Sequence, residues 1–167
     1  TLLLLTVPVA VFSMAFPERI VTLLFKSGDF SDLSVRLTAS AFFWHQTGLV
    51  FIAMNRLIAP AFYARSDTKT PTWAGIASFG VNVVLVLVLA FKFQGPGIAF
   101  ALSFSSAVNT ALLVRALIKR NTEGIRKELW MSLRYMLKML LFSIAAVVPA
   151  MLADRAVFAK VGMAHSR

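Results

Sequence analysis

The chain contains no cysteine. That removes disulfide staples, thiolate nucleophiles and soft metal ligands, and leaves redox usage silent about compartment. Acidic residues are scarce, 7 against 17 Lys and Arg, and no apolar run holds the pair of carboxylates that general acid–base work needs. Only two histidines occur, His45 and His165, too far apart in sequence to give a metal-ligand spacing. No glycine-rich loop of the phosphate-cradling kind is present. Together these absences argue against an enzyme and against a nucleotide-driven pump. Also missing is an initiator Met or a basic leader: Thr1-Leu2-Leu3-Leu4-Leu5 opens in the middle of a hydrophobic segment. This is not a signal peptide with a small-residue cleavage site, and it reads as a piece of a longer chain.

What the chain has in abundance is apolar surface. Hydrophobic residues make up 59% of the sequence and the mean hydropathy is +0.79, well above the roughly 45–50% of soluble domains. The 167 residues leave room for about five or six spans of ~20 residues. A net charge of +10 raises the question of nucleic acid. The basic residues, however, sit in short loops between apolar runs, where the positive-inside rule accounts for them, so no nucleic-acid partner is expected.

Five runs read as membrane spans, at about 1–16, 35–63, 71–91, 98–118 and 129–152. Only helices satisfy their own backbone in lipid, so the expected fold is all-α, a polytopic transmembrane helix bundle. Pro17-Glu18-Arg19 marks an interface, and Ile20 to Phe25 reads as a short helical piece lying at the surface. Lys26 to Ser31 is a loop in which Gly28 permits a turn, and Ser31 or Asp32 caps the helix after it. Pro71 suits a helix first turn, and Gln94-Gly95-Pro96-Gly97 reads as a tight reversal. The tail from Asp154 to Arg167 adds no span.

With five spans the loops alternate sides. One side gathers Arg65, Lys69, Arg115, Lys119, Arg120, Arg126, Lys127 and Arg134. The other holds Arg19, Lys26, Arg36, Lys92, Arg155 and Lys160, diluted by Glu18, Asp29, Asp32 and Asp154. The first side is therefore expected to be cytoplasmic.

Polar groups inside spans are costly and mark candidate sites. In the second span Thr38, His45, Arg56 and Tyr63 fall within about 20° of one another at 100° per residue. Such a stripe lines a hydrated cavity, with Arg56 meeting an anionic ligand. Alternatively, Arg56 snorkels to the headgroups and His45 bonds a neighbouring helix. In the fourth span Ser103, Ser106 and Thr110, with Ser105 and Asn109 alongside, favour close helix packing. Asn82, in the otherwise apolar third span, is either an interhelical hydrogen-bonding group or a ligand. Arg134 and Lys138 are placed to snorkel.

The wording of three segments is specific. Phe62-Tyr63-Ala64-Arg65-Ser66-Asp67-Thr68-Lys69-Thr70-Pro71 resembles the FYA-x-x-D-T-x-T-P loop of the MurJ/MviN family, lipid II flippases of the multidrug/oligosaccharidyl-lipid/polysaccharide exporter superfamily. Leu24 to Phe30 is similar to the family's LF-x-x-G-x-F, and Gly95 to Ala99 to its G-x-x-GLA turn. The resemblance implies a fold of about 14 helices in two lobes around a cationic cavity, with the spans here matching helices nine to thirteen. It thus implies a partial C-terminal lobe over 1–167, lacking the N-terminal lobe of its own chain. The implied function is translocation of lipid II, an undecaprenyl-pyrophosphate-linked peptidoglycan precursor, across the bacterial cytoplasmic (inner) membrane by alternating access. The implied partners are lipid II and membrane lipids. No cofactor is implied beyond a coupling ion, Na+ or H+, or the membrane potential. The family's main cavity arginines fall upstream of Thr1. In some members an Asn and an Asp four residues later help to bind sodium; Asn82 stands at the first position and Val86 at the second. The alternative is a related exporter moving another polyprenyl-linked glycan or a drug.

Overall fold

A computed structural model of the chain describes residues 2–25, 30–119, 130, 131, 134, 135 and 137–152, and every regular element among them is helical. Helix α1 covers Leu2–Ala15, α2 Pro17–Phe25, α3 Asp32–Tyr63 and α4 Lys69–Lys119; α5 covers Leu137–Leu152. The segments 26–29, 120–129 and 153–167 fall outside the described residues. With them go the Gly28 turn, Arg120, Arg126, Lys127, Arg155, Lys160 and His165.

The helix starts have local causes. Ser31 holds an extended backbone (φ −68°, ψ 160°) and its hydroxyl accepts the N–H of Ser34 at 3.2 Å. Of the two candidate caps it is therefore Ser31 that closes the first turn of α3. Asp32 comes next in that turn, where a carboxylate complements the helix dipole.

Helix α4 has 51 residues. A straight helix of that length runs about 76 Å, more than twice the ~30 Å of bilayer hydrocarbon. It breaks instead at Gln94, whose backbone (φ 51°, ψ −133°) is not helical. The Asn82 amide reaches the Ser105 hydroxyl at 3.2 Å, although one continuous helix would hold those residues about 34 Å apart. The element is therefore a hairpin of two antiparallel arms, 69–93 and 95–119, turning at the expected reversal. Gly97 lets the joint close: a Cβ there would stand 2.7 Å from the Leu89 carbonyl oxygen.

Helix α3 runs parallel to the second arm. Gly48 lies against Ser103, Asn55 against Ser106 and Thr110, and Ile58 and Phe62 share a buried cluster with Ala74, Leu113 and Leu117. The turn after Tyr63 and the end of the second arm thus lie at one end of the bundle. Asp32 and Gln94 lie at the other. There a second cluster joins Val21 of α2 to Val35 and Ala39 of α3. α1 presents Val7, Ala10 and Ser13 as its buried residues and also packs on α3. In α5, Ser143 and Val147, one turn apart, are buried.

The outer surface is apolar: Leu5, Phe12, Trp73, Phe79, Leu87, Phe91 and Phe142 are all exposed. α3 and α4 are long and apolar enough to cross a bilayer, while α1 and α2 form a pair bent by 85°. The architecture is the expected all-α polytopic helix bundle, its polar contacts inside and its hydrocarbon surface outside.

Candidate functional site

The turn between α3 and α4 is built by its own backbone. The Phe62 carbonyl accepts the N–H groups of Arg65 and Asp67, each at 3.0 Å, and the Tyr63 carbonyl that of Ser66 at 2.9 Å. Ser66 takes a left-handed conformation (φ 56°) to close the turn. Asp67 Oδ1 then accepts the N–H of Thr70 at 3.1 Å, and Thr72 donates to the Thr68 carbonyl at 2.7 Å. Asp67 caps the first turn of α4, and Pro71 sits inside that turn, buried. Phe62 is 1% exposed and anchors the turn to the core. Phe62, Ala64, Asp67, Thr68, Thr70 and Pro71 therefore specify a rigid connection. Tyr63 alone of the motif's aromatics points outward, 54% exposed.

A polar seam joins α3 to the second arm. Ser103 donates its hydroxyl to the Trp44 carbonyl, and Thr47 donates to the same carbonyl. Asn55 Nδ2 donates to the Ser106 carbonyl at 3.3 Å. The Thr110 hydroxyl lies 2.8 Å from Asn55 Oδ1, 3.0 Å from the Ser106 carbonyl and 3.3 Å from the Phe51 carbonyl. Its one proton serves the shortest contact best. The Ser103–Ser106–Thr110 spacing thus does what small hydroxyl residues do between membrane helices. Gly48 allows it, because a Cβ at that position would meet Ser103 Oγ at 2.5 Å and Ser103 Cα at 2.9 Å. Neither Gly48 nor Asn55 is singled out by the polar spacing along α3. The signal that could have found Asn55 is its cost: an amide inside an apolar span needs a partner.

Between the two arms, Asn82 donates its amide nitrogen to the Ser105 hydroxyl, an interhelical hydrogen bond of the kind open to it. Two acceptors, Gln46 Oε1 and Asn109 Oδ1, are buried with no hydrogen-bond partner among the described residues.

The stripe of Thr38, His45, Arg56 and Tyr63 lies between the two packed faces of α3. On one flank Val35 and Ala39 meet α2; on the other Gly48, Asn55 and Phe62 meet α4. Thr38 and His45 are half-buried, and Arg56 and Tyr63 exposed. The stripe is long: at 1.5 Å per residue Thr38 and Tyr63 are about 37 Å apart, and His45 and Arg56 about 16 Å. These residues share a face but do not converge on one point. A single ligand touching both His45 and Arg56 needs to be extended. Among the described residues no cluster of His, Asp or Glu could hold a metal ion. Arg134 and Lys138 are exposed.

A bundle with an apolar exterior, self-satisfied helices and an internal hydrogen-bonded seam defines a multi-pass integral membrane protein. The model of the family described as lipid II flippase MurJ matches residues 1–164, and the chain belongs to that family. A probable lipid II flippase MurJ of Treponema pallidum (strain Nichols) is 41% identical over 148 residues, covering 88% of this chain and 28% of that protein. Its counterpart in Vibrio cholerae serotype O1 is 31% identical over 127 residues, covering 75% and 24%. The solved structure of a lipid II flippase MurJ in an inward closed conformation superposes with a TM-score of 0.74 at 23% identity. It covers 91% of this chain and 31% of that one. The chain therefore spans about a quarter to a third of the length of these relatives.

Proposed function

We propose that this chain is a portion of the C-terminal lobe of a flippase that moves lipid II across the bacterial cytoplasmic membrane for cell wall synthesis. The observation that carries the reading is the family match over residues 1–164, which takes in every described helix. The protein is then a transporter and not a catalyst, and alternating access between two lobes does the work. The opposing lobe belongs to the rest of the parent chain. The α3 stripe faces that lobe, and Arg56, exposed between two packed faces, meets an anionic headgroup there. The separation of about 16 Å between His45 and Arg56 suits a headgroup made of a pyrophosphate and an attached glycan.

Coupling is proposed to an ion, Na+ or H+, or to the membrane potential. Of the Asn82 and Val86 pair, Asn82 gives its amide nitrogen to Ser105, which leaves its Oδ1 for an ion, while the Val86 side chain brings no oxygen. The proposed location of the Tyr63–Pro71 turn is the cytoplasmic side, in keeping with its basic residues Arg65 and Lys69.

The test uses the full-length parent in a flippase-depleted strain. Wild-type parent should restore growth and lipid II translocation in proteoliposomes. Arg56→Ala should impair complementation at unchanged protein level, and Arg56→Lys should retain part of the activity. No rescue by the wild type refutes the function. Full rescue by Arg56→Ala returns Arg56 to headgroup snorkelling.

A further inference from the structure

Helix α2 has no part in the seam, the turn or the stripe, yet the fold holds it in a definite pose. The chain turns by 85° between α1 and α2. α1 is apolar around its circumference, with Leu5, Val9 and Phe12 exposed, and so is immersed in hydrocarbon. α2 differs. At 100° per residue Glu18 and Thr22 share one side, while Leu23 and Leu24 straddle the opposite side. Val21 is 1% exposed and packs on Val35 and Ala39 of α3. The Phe25 ring lies 6.4 Å from that of Phe30. These two contacts pin the helix. Leu23 and Leu24 are left 87% and 66% exposed.

We propose that α2 is an in-plane interfacial helix that docks on the lipid surface at the Gln94 end of the bundle, with Leu23 and Leu24 inserted at the headgroup–acyl boundary. Three observations select a lipid surface as the occupant. The bend at Phe16 carries α2 off the direction of the immersed α1 and toward the plane of the membrane. Nine residues reach only about 14 Å, too short to continue as a span. The exposed leucines also lie opposite Glu18 and Thr22, and exposed Arg19, one turn before Leu23, stands at the edge of their side, where its long stem reaches the headgroups. This is the arrangement of helices whose apolar side sits about 5–10 Å into the boundary region. Its consequence is mechanical. Through Val21 the helix ties the N-terminal end of α3, and with it the polar stripe, to the membrane surface.

The experiment places single cysteines at Glu18, Thr22, Leu23 and Leu24 in the full-length parent cleared of other cysteines, each labelled with an environment-sensitive fluorophore. The labelled proteins are reconstituted in vesicles containing phospholipids brominated near the headgroup or near the chain end. Labels at 23 and 24 should be quenched several-fold more by the shallow bromolipid than labels at 18 and 22, and equally with each other. Quenching that deepens steadily from 18 to 24 would make α2 part of a broken span and overturn the proposal. Labels at 23 and 24 shielded from both lipids and from aqueous iodide would mean that protein covers the helix, which overturns it as well. A second arm reads the protein without a probe. Leu23→Glu with Leu24→Glu should leave the detergent-solubilised protein monodisperse while lowering its yield in membranes. A loss of folding in detergent would instead assign the two leucines to a protein interface.

Discussion

Replacing Gly48 by alanine tests the geometry on which the bundle rests. The added Cβ would stand 2.5 Å from Ser103 Oγ, 3.0 Å from Ser103 Cβ and 2.9 Å from Ser103 Cα. A hydroxyl can rotate away, but here rotation gives up the bond to the Trp44 carbonyl, and the Cα cannot rotate at all. An ordinary contact begins near 3.4 Å, so α3 and the second arm have to part locally by about half an ångström. Overpacking of this kind costs about 1–3 kcal/mol. Parting also stretches the Asn55–Ser106 bond, already 3.3 Å, and interhelical hydrogen bonds in membranes contribute about 0.6 kcal/mol each. The expected total for Gly48→Ala is a loss of about 2–4 kcal/mol. It is read as a lowered apparent Tm of the detergent-solubilised full-length protein, or as a shifted midpoint in denaturing detergent. Ser103→Ala alone should cost only about 0.6–1.7 kcal/mol. In the Gly48→Ala background it should return part of the loss and not all of it, since the clash with Ser103 Cα persists. If Gly48→Ala leaves stability within about 0.5 kcal/mol of wild type, as surface substitutions do, the close approach of these helices is refuted.

Gln94 holds a positive φ that glycine accepts without strain; Gln94→Gly should stabilise the hairpin by up to about 1–3 kcal/mol, whereas a loss on thermal unfolding would contradict the break. Asp67→Ala removes the acceptor for the Thr70 N–H and should cost about 0.5–2 kcal/mol, with Asp67→Asn retaining most of the cap; an unchanged Tm would count against the capping role. Because the chain has no cysteine, Ser66→Cys and Gly95→Cys report topology cleanly once the rest of the parent is cleared. An impermeant thiol reagent on intact spheroplasts should label position 95 and spare 66, and the reverse pattern would invert the bundle.

Local and solvent constraints account for everything that the sequence determined by itself. Apolar runs in a chain poor in acidic residues and without cysteine can only be helices in lipid, because no water there completes an open backbone. The reversal at Gln94 to Gly97 was equally readable, and the cap of α3 was narrowed to Ser31 or Asp32, since glycine, proline and short polar side chains act on their own neighbours in the chain. The motif from Phe62 to Pro71 was legible as a specific turn, and the family with it. Its internal logic, with Phe62 accepting two N–H groups and Asp67 capping α4, needed the structure. So did the seam. Ser103, Ser106 and Thr110 announced a packed face, but their partners Trp44, Asn55 and Gly48 lie 51 to 59 residues away, and no period in the sequence encodes that pairing. The stripe shows the same division. A spacing near 100° per residue put Thr38, His45, Arg56 and Tyr63 on one face. Only the packing of α2 on one flank and α4 on the other decided that Arg56 and Tyr63 stay exposed while Thr38 and His45 are half-buried, because exposure depends on which neighbours arrive and not on the helix that carries the residues.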